Sequence, residues 1–264
     1  MRSVLASLCL VVVLVCLPLT VQTTQATATA CLPQLSWGNY FNGIGVSAGD
    51  SVFVEAQATL EGQNIGLCGP GSYSGTGVWV ALVARPPYDI VQIGMWRTPW
   101  AYGGQMRYFY AAGRMATSEM TEISPGVHDL GPADLSRSHP FRVRVVETDW
   151  TGARFDRVQF YIDGAMVATV PLVEFPWVRH ATSAHFYGES WNKGDSIGGN
   201  VSNPFTFSKA RVRVQGGLSV AAFRGWIGYA ELRGHWRLRI TSSTSLNIWT
   251  VWGDVLNQQP LVGR

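Results

Sequence analysis

The sequence predicts an all-β protein: a two-sheet antiparallel β-sandwich. Three observations carry this. Apolar runs are short, rich in Val, Ile and aromatic residues, and broken by clusters of Gly, Pro, Asn and Asp. Asp163-Gly164 stands between the apolar runs 159–162 and 166–170, a strong hairpin signal because both residues tolerate the positive φ of a two-residue turn. No segment carries the 3.6-residue apolar repeat of a long amphipathic helix.

Taken in order, the chain begins with a leader. Arg2 is the only charge before an apolar run over 4–17, and small residues follow up to Ala26-Thr27-Ala28-Thr29-Ala30. This pattern reads as a cleavable signal peptide over 1–30, cut after Ala28 or Ala30, and the product is expected to be secreted. The apolar run is shorter than the ~20 residues a spanning helix needs. A lipid anchor on Cys31 competes with this reading, but Ala28 stands where a lipid-attachment signal normally carries leucine. Cys9 and Cys16 leave with the leader, so Cys31 and Cys68 remain as an even pair in an oxidising compartment. A disulfide between them ties the new N-terminus to the body and stabilises by about 3–4 kcal/mol on a chain-entropy estimate.

The remainder, 31–264, is expected to form a single domain. Strands are expected at 51–60, 78–84, 90–96, 106–111, 141–148, 157–162, 166–171, 184–189, 210–214, 226–240 (one or two) and 246–252. Loops are expected at 62–77, 100–105, 118–140 and 192–205. The stretch 217–264 is expected to add extra strands or an interaction edge. About a dozen strands suit two large sheets face to face, one with a face open to an extended ligand.

Charge excludes some functions. Lys and Arg number 20 against 17 Asp and Glu, the net charge is +3, and no Lys/Arg run exists. Nucleic-acid binding therefore has little electrostatic support. Nothing after the leader approaches transmembrane length.

Several chemical motifs fail on inspection. Gly45-Val46-Ser47-Ala48-Gly49 has the spacing of a nucleophile elbow, but a strand follows where a helix is required. Glu147-Thr148-Asp149 begins the acid pattern of sandwich glycosidases, but Gly152 replaces the last acid. The five histidines show no metal-binding spacing, each reading as a surface or hydrogen-bonded side chain, and no metal site is expected from them. A calcium held by loop carbonyls near Asp195 leaves no sequence trace. Asn200-Val201-Ser202 is a glycosylation sequon that matters only in a eukaryotic host.

Five segments stand out together: Ser36-Trp37-Gly38-Asn39-Tyr40, Val78-Trp79-Val80-Ala81-Leu82, Asp89-Ile90-Val91-Gln92-Ile93-Gly94, Ser183-Ala184-His185-Phe186-Tyr187-Gly188-Glu189 and Phe207-Ser208-Lys209-Ala210. Their order and spacing resemble the glutamic peptidases, or eqolisin family, over roughly 37–215. The resemblance implies a concanavalin A-like, jelly-roll-type sandwich. It also implies a site in which Glu189 activates a water and protonates the leaving amine, while Gln92 orients the water and stabilises the oxyanion. Trp37, Trp79 and Trp96 are the implied lining of a substrate groove, with a polypeptide as substrate and no metal or cofactor. Departures are plain. Arg107-Tyr108-Phe109-Tyr110 stands where the family carries an acidic aromatic strand. Ala81-Leu82-Val83-Ala84 replaces a Gly-Ile-Asp-Gly, and Ser190 follows the glutamate.

A second reading keeps the fold without the activity. All eleven tryptophans follow the leader, and aromatic faces stack on sugars. A lectin-like carbohydrate-binding module, with a glycan as partner, is the alternative to the acid-acting endopeptidase, and a secreted scaffold without a small ligand is a third. A monomer is expected in each case.

Overall fold

The computed structural model describes residues 37–47, 49–64, 75–84, 88–98, 102–116, 121–122, 126–147, 156–192, 199–200, 203–224, 227–232 and 236–250. The expected leader, the Cys31 and Cys68 pair and the Asp195 loop lie outside them. Among the described residues seventeen strands form: β1 (Trp37–Ser47), β2 (Phe53–Leu60), β3 (Thr76–Ala84), β4 (Tyr88–Arg97), β5 (Arg107–Ala116), β6 (Thr121–Glu122), β7 (Val127–Pro132), β8 (His139–Val146) and β9 (Arg157–Ile162), then β10 (Ala165–Pro171), β11 (Ala181–Asn192), β12 (Gly199–Asn200), β13 (Asn203–Val214), β14 (Ser219–Ala221), β15 (Ile227–Leu232), β16 (Trp236–Ser242) and β17 (Ser245–Thr250). Among the described residues the helices are 3₁₀ turns, and none is long and apolar enough to cross a membrane.

The strands make two antiparallel sheets. The first runs β15-β1-β11-β3-β4-β5-β6, with β7 also on β5; the second runs β10-β9-β8-β2-β13-β17-β16, with β12 and β14 on β13. Their inner faces share one core. Val78, Val80, Leu82, Ile93 and Phe186 of the first meet Phe53, Phe141, Phe160, Phe205 and Phe207 of the second, all fully buried. In the second sheet the period-two pattern is clean, with β8 and β9 alternating buried and partly exposed positions. The hairpin from β9 to β10 turns at Asp163 (φ 54°) and Gly164 (φ 81°), both positive as a two-residue turn of this kind requires.

The first sheet is different. Every residue of β3 is buried, so its outer face is covered as well as its inner one. Three expectations change here. The loop expected at 118–140 contains β6 and β7, both paired with β5, the loop expected at 192–205 contains β12 and the start of β13, and β1 occupies a stretch not expected to be a strand. The expected extra strands after 217 exist as β14 to β17, with β15 extending the first sheet at its edge and β16 and β17 extending the second.

Candidate functional site

The outer face of the first sheet can be built row by row from strand register, because paired residues in antiparallel strands point to the same side and the side repeats every second residue. One row reads Gly45, His185, Ala81, Gln92, Ala111 across β1, β11, β3, β4 and β5. Two residues along the strands, the next row reads Gly43, Tyr187, Trp79, Gly94, Phe109. Two further along, it reads Phe41, Glu189, Gly77, Trp96, Arg107. The first row has small side chains on either side of two polar ones. The second is an aromatic wall.

That wall is a core in its own right. Phe41, Trp79, Phe109 and Tyr187 are buried together with Ala81, Val83 and Ala111, and Trp96 packs against them. Trp79 meets Tyr187 edge-on with centroids 5.3 Å apart, and Trp96 meets Phe109 at 6.2 Å. Glycine at position 43 is required because a Cβ there would lie 2.4 Å from the Tyr187 ring and 2.1 Å from the Phe186 carbonyl.

Gln92 is half-buried, yet its Oε1 is enclosed with no hydrogen-bond partner among the described residues. Turning the carboxamide over would only enclose its NH2 in place of the oxygen. Glu189 is also half-buried, and its Oε2 accepts a hydrogen bond of 3.0 Å from Trp79 Nε1. The Glu189 backbone carbonyl accepts another, from Thr76 Oγ1 at 2.9 Å.

Gln92 and Glu189 therefore share a face but do not lie on adjacent strands. β3 lies between them, and they differ by four residues along the strand direction. Strand geometry puts their Cα atoms on the order of 15 Å apart. The diagonal between them passes over Trp79, whose indole already holds the Glu189 carboxylate. The residue that does share the row of Gln92 is His185, separated from it by Ala81 alone. His185 is buried, stacks on Trp79 with centroids 6.4 Å apart and meets Tyr187 edge-on at 4.9 Å. Sequence reasoning treated it as an ordinary histidine. The available signal was its spacing of four from Glu189, which places both on one side of a strand.

Of the three expected groove tryptophans, Trp79 and Trp96 stand on this face. Trp37 opens β1 opposite Asn192, and its side chain lies outside the described residues. At the far edge of the face Arg107 pairs with Asp129 and covers the Tyr102 ring at 3.7 Å. The Arg107 hydrogen bond holds the Asp129 carboxyl below the usual carboxylate range. Among the described residues no group of three His, Cys, Asp or Glu side chains is placed to hold a metal ion.

No protein-family model and no curated protein matches the sequence. Solved structures do. The fold is similar to that of Scytalido-glutamic peptidase with a peptide-based transition-state analogue, at TM-score 0.56 and 14% identity over 82% of this chain and 100% of that one. It is similar at TM-score 0.50 and 15% identity, with the same coverage, to SCP-B, a member of the eqolisin family, in complex with the tripeptide Ala-Ile-His. The resemblance drawn from the sequence is thus met at the level of fold.

Proposed function

We propose that this is a secreted, glutamic-peptidase-like protein that takes an extended polypeptide across the outer face of the first sheet, with Gln92 and Glu189 as its polar contacts. The observation that carries the reading is the enclosed Oε1 of Gln92, without a hydrogen-bond partner among the described residues, in a row it shares with Gly45, Ala81 and Ala111. Leaving such a group unpaired costs about 1–3 kcal/mol, so a ligand group that completes it is a direct reason for its presence. A peptide group is the chemical match, since its N–H donates to a carboxamide oxygen and its carbonyl accepts from a carboxamide N–H.

The aromatic wall beside that row offers apolar contact for ligand side chains. The similar Scytalido-glutamic peptidase and SCP-B structures hold peptide-type ligands, which favours a polypeptide over other extended chains. Glu189 meets a second group of the same ligand, displaced by roughly 15 Å, or four to five residues of extended chain. Its separation from Gln92, with Trp79 between, favours two points of contact over joint attack on one bond.

Titration calorimetry of the chain without its leader against peptides from a casein digest tests this. Saturable binding is expected. Gln92→Leu should weaken it about 10- to 100-fold, worth roughly 1.4–2.8 kcal/mol, and Glu189→Gln by less. Saturable binding on a glycan array with no peptide binding replaces the reading with a lectin-like module. Binding to neither leaves an exported scaffold.

A further inference from the structure

We infer that the outer face of the second sheet is a docking surface for an acidic polysaccharide, a sugar chain bearing carboxylates; it is distinct from the face that carries Gln92 and independent of the peptide reading above. Strand register builds this surface as it builds the other. One row reads Arg213, Glu55, Arg144, Gln159 across β13, β2, β8 and β9, and the next reads Arg211, Gln57, Arg142, Tyr161. Cations recur on every second strand, about 10 Å apart, and the two rows lie about 7 Å apart along the strands. The arginines come from 142–144 and 211–213, so the chain shows no basic run, and only the register gathers them.

Charge is the first argument. Among the described residues Glu55 is the only acid at an outward position of these four strands. The two rows hold an excess of three positive charges, as large as the formal excess of the whole chain. Glu55 lies 3.4 Å from Arg213 and 3.8 Å from Arg144, and one carboxylate cannot neutralise both. Arg142 lies 3.9 Å above the Tyr161 ring, and Arg211 donates to the hydroxyl and the backbone carbonyl of Ser219, both uncharged partners. These contacts hold the guanidinium groups in place beforehand, so a ligand loses less binding energy to ordering them.

The neutral groups select the class of polyanion. A guanidinium meets a planar carboxylate with two parallel hydrogen bonds, as Arg107 meets Asp129 on the first sheet. Gln57 stands between Arg211 and Arg142. Gln159 stands beside Arg144, and its Oε1 accepts from the Tyr161 hydroxyl at 2.7 Å, leaving the NH2 as its donor. Carboxamides between cations suit the hydroxyl groups that lie between the carboxylates of a sugar chain. A single-stranded nucleic acid needs open aromatic faces for its bases. Tyr161 is the aromatic residue of these rows, and the Arg142 guanidinium already lies over its ring.

Titration of polygalacturonate into the chain without its leader, at about 50 and about 300 mM NaCl, tests this. Saturable binding is expected at the lower salt, weakened at least ~10-fold at the higher. Arg142→Gln and Arg211→Gln, which leave Glu55 and its two arginines intact, should each weaken it roughly 10-fold. Glu55→Gln should tighten it roughly threefold, a gain that a misfolded chain does not give. In ¹⁵N spectra the Gln57 and Gln159 carboxamides should shift at saturation while the Gln92 carboxamide and the Trp79 indole stay still, so this inference and the peptide reading fail separately. Tighter binding of a single-stranded oligonucleotide of equal charge overturns the inference in favour of a nucleic acid. Equal binding of neutral dextran, full affinity in both arginine variants, or no binding at low salt overturns it outright.

Discussion

On the outward face of the second sheet, Glu55 lies 3.4 Å from Arg213 and 3.8 Å from Arg144, and Arg142 stacks 3.9 Å above the Tyr161 ring. On the outward face of the first, Trp79, Tyr187, Phe109 and Phe41 close over Ala81 and Ala111. Both faces obey the same two-residue period and lie opposite the same core. What differs is the occupant of the outward positions. Arg144 and Arg213 keep their side chains open to water around a buried Glu55, and ion pairs with a water-exposed partner contribute about 0–1 kcal/mol. Buried aromatic rings contribute several times more, and they make each polar group among them costly unless it has a partner. The first sheet thus carries Gln92, His185 and Glu189 in surroundings where a hydrogen bond to a ligand counts for more than it would on the second.

The largest expected effect breaks this comparison most directly. Trp79→Ala removes the ring at the centre of the aromatic wall and the donor to Glu189, and should cost about 3–5 kcal/mol in urea denaturation. On the second sheet, Glu55→Gln should cost roughly 1 kcal/mol or less, and the difference should shrink in high salt. Equal losses from the two substitutions would erase the distinction between the faces.

The smallest effect sharpens it at the rim of the first sheet. The Asp129 carboxyl is held down by Arg107, so its contribution is fully present above the unfolded carboxylate value of about 3.9 and is lost as pH falls through the lower folded value. Thermal melts between pH 2 and 6 should therefore show Asp129→Asn losing less stability on acidification than the parent chain. Identical acid slopes would mean that Arg107 does not discriminate the charged form.

The contrast also explains what the sequence made legible. β8 and β9 face water on one side, so their alternation is visible residue by residue, and Asp163-Gly164 announces the turn that follows. β3 reads as a strand from its unbroken apolar run, but which of its faces carries a site does not show in such a run. β7 passes for loop because its six residues are only partly buried or exposed and it pairs with β5 alone, leaving no apolar stripe. β1 passes because glycines at 38, 43 and 45 dilute its pattern, although Gly43 is needed to seat Tyr187.

At the site, Gln92 and Glu189 could each be singled out by resemblance. Their relation could not, because register across an intervening strand is set by the hairpins and pairings of the whole sheet. The same register places His185, and not Glu189, in the row of Gln92.

The central claim is that a polypeptide lies on the outer face of the first sheet, over Gln92. Titrating a casein-derived peptide into the ¹⁵N-labelled chain reads it directly. The account predicts that the Gln92 carboxamide and the Trp79 indole signals shift together and saturate, while the carboxamides of Gln57 and Gln159 on the second sheet stay still. Movement of Gln57 and Gln159 with Gln92 and Trp79 unchanged would contradict it.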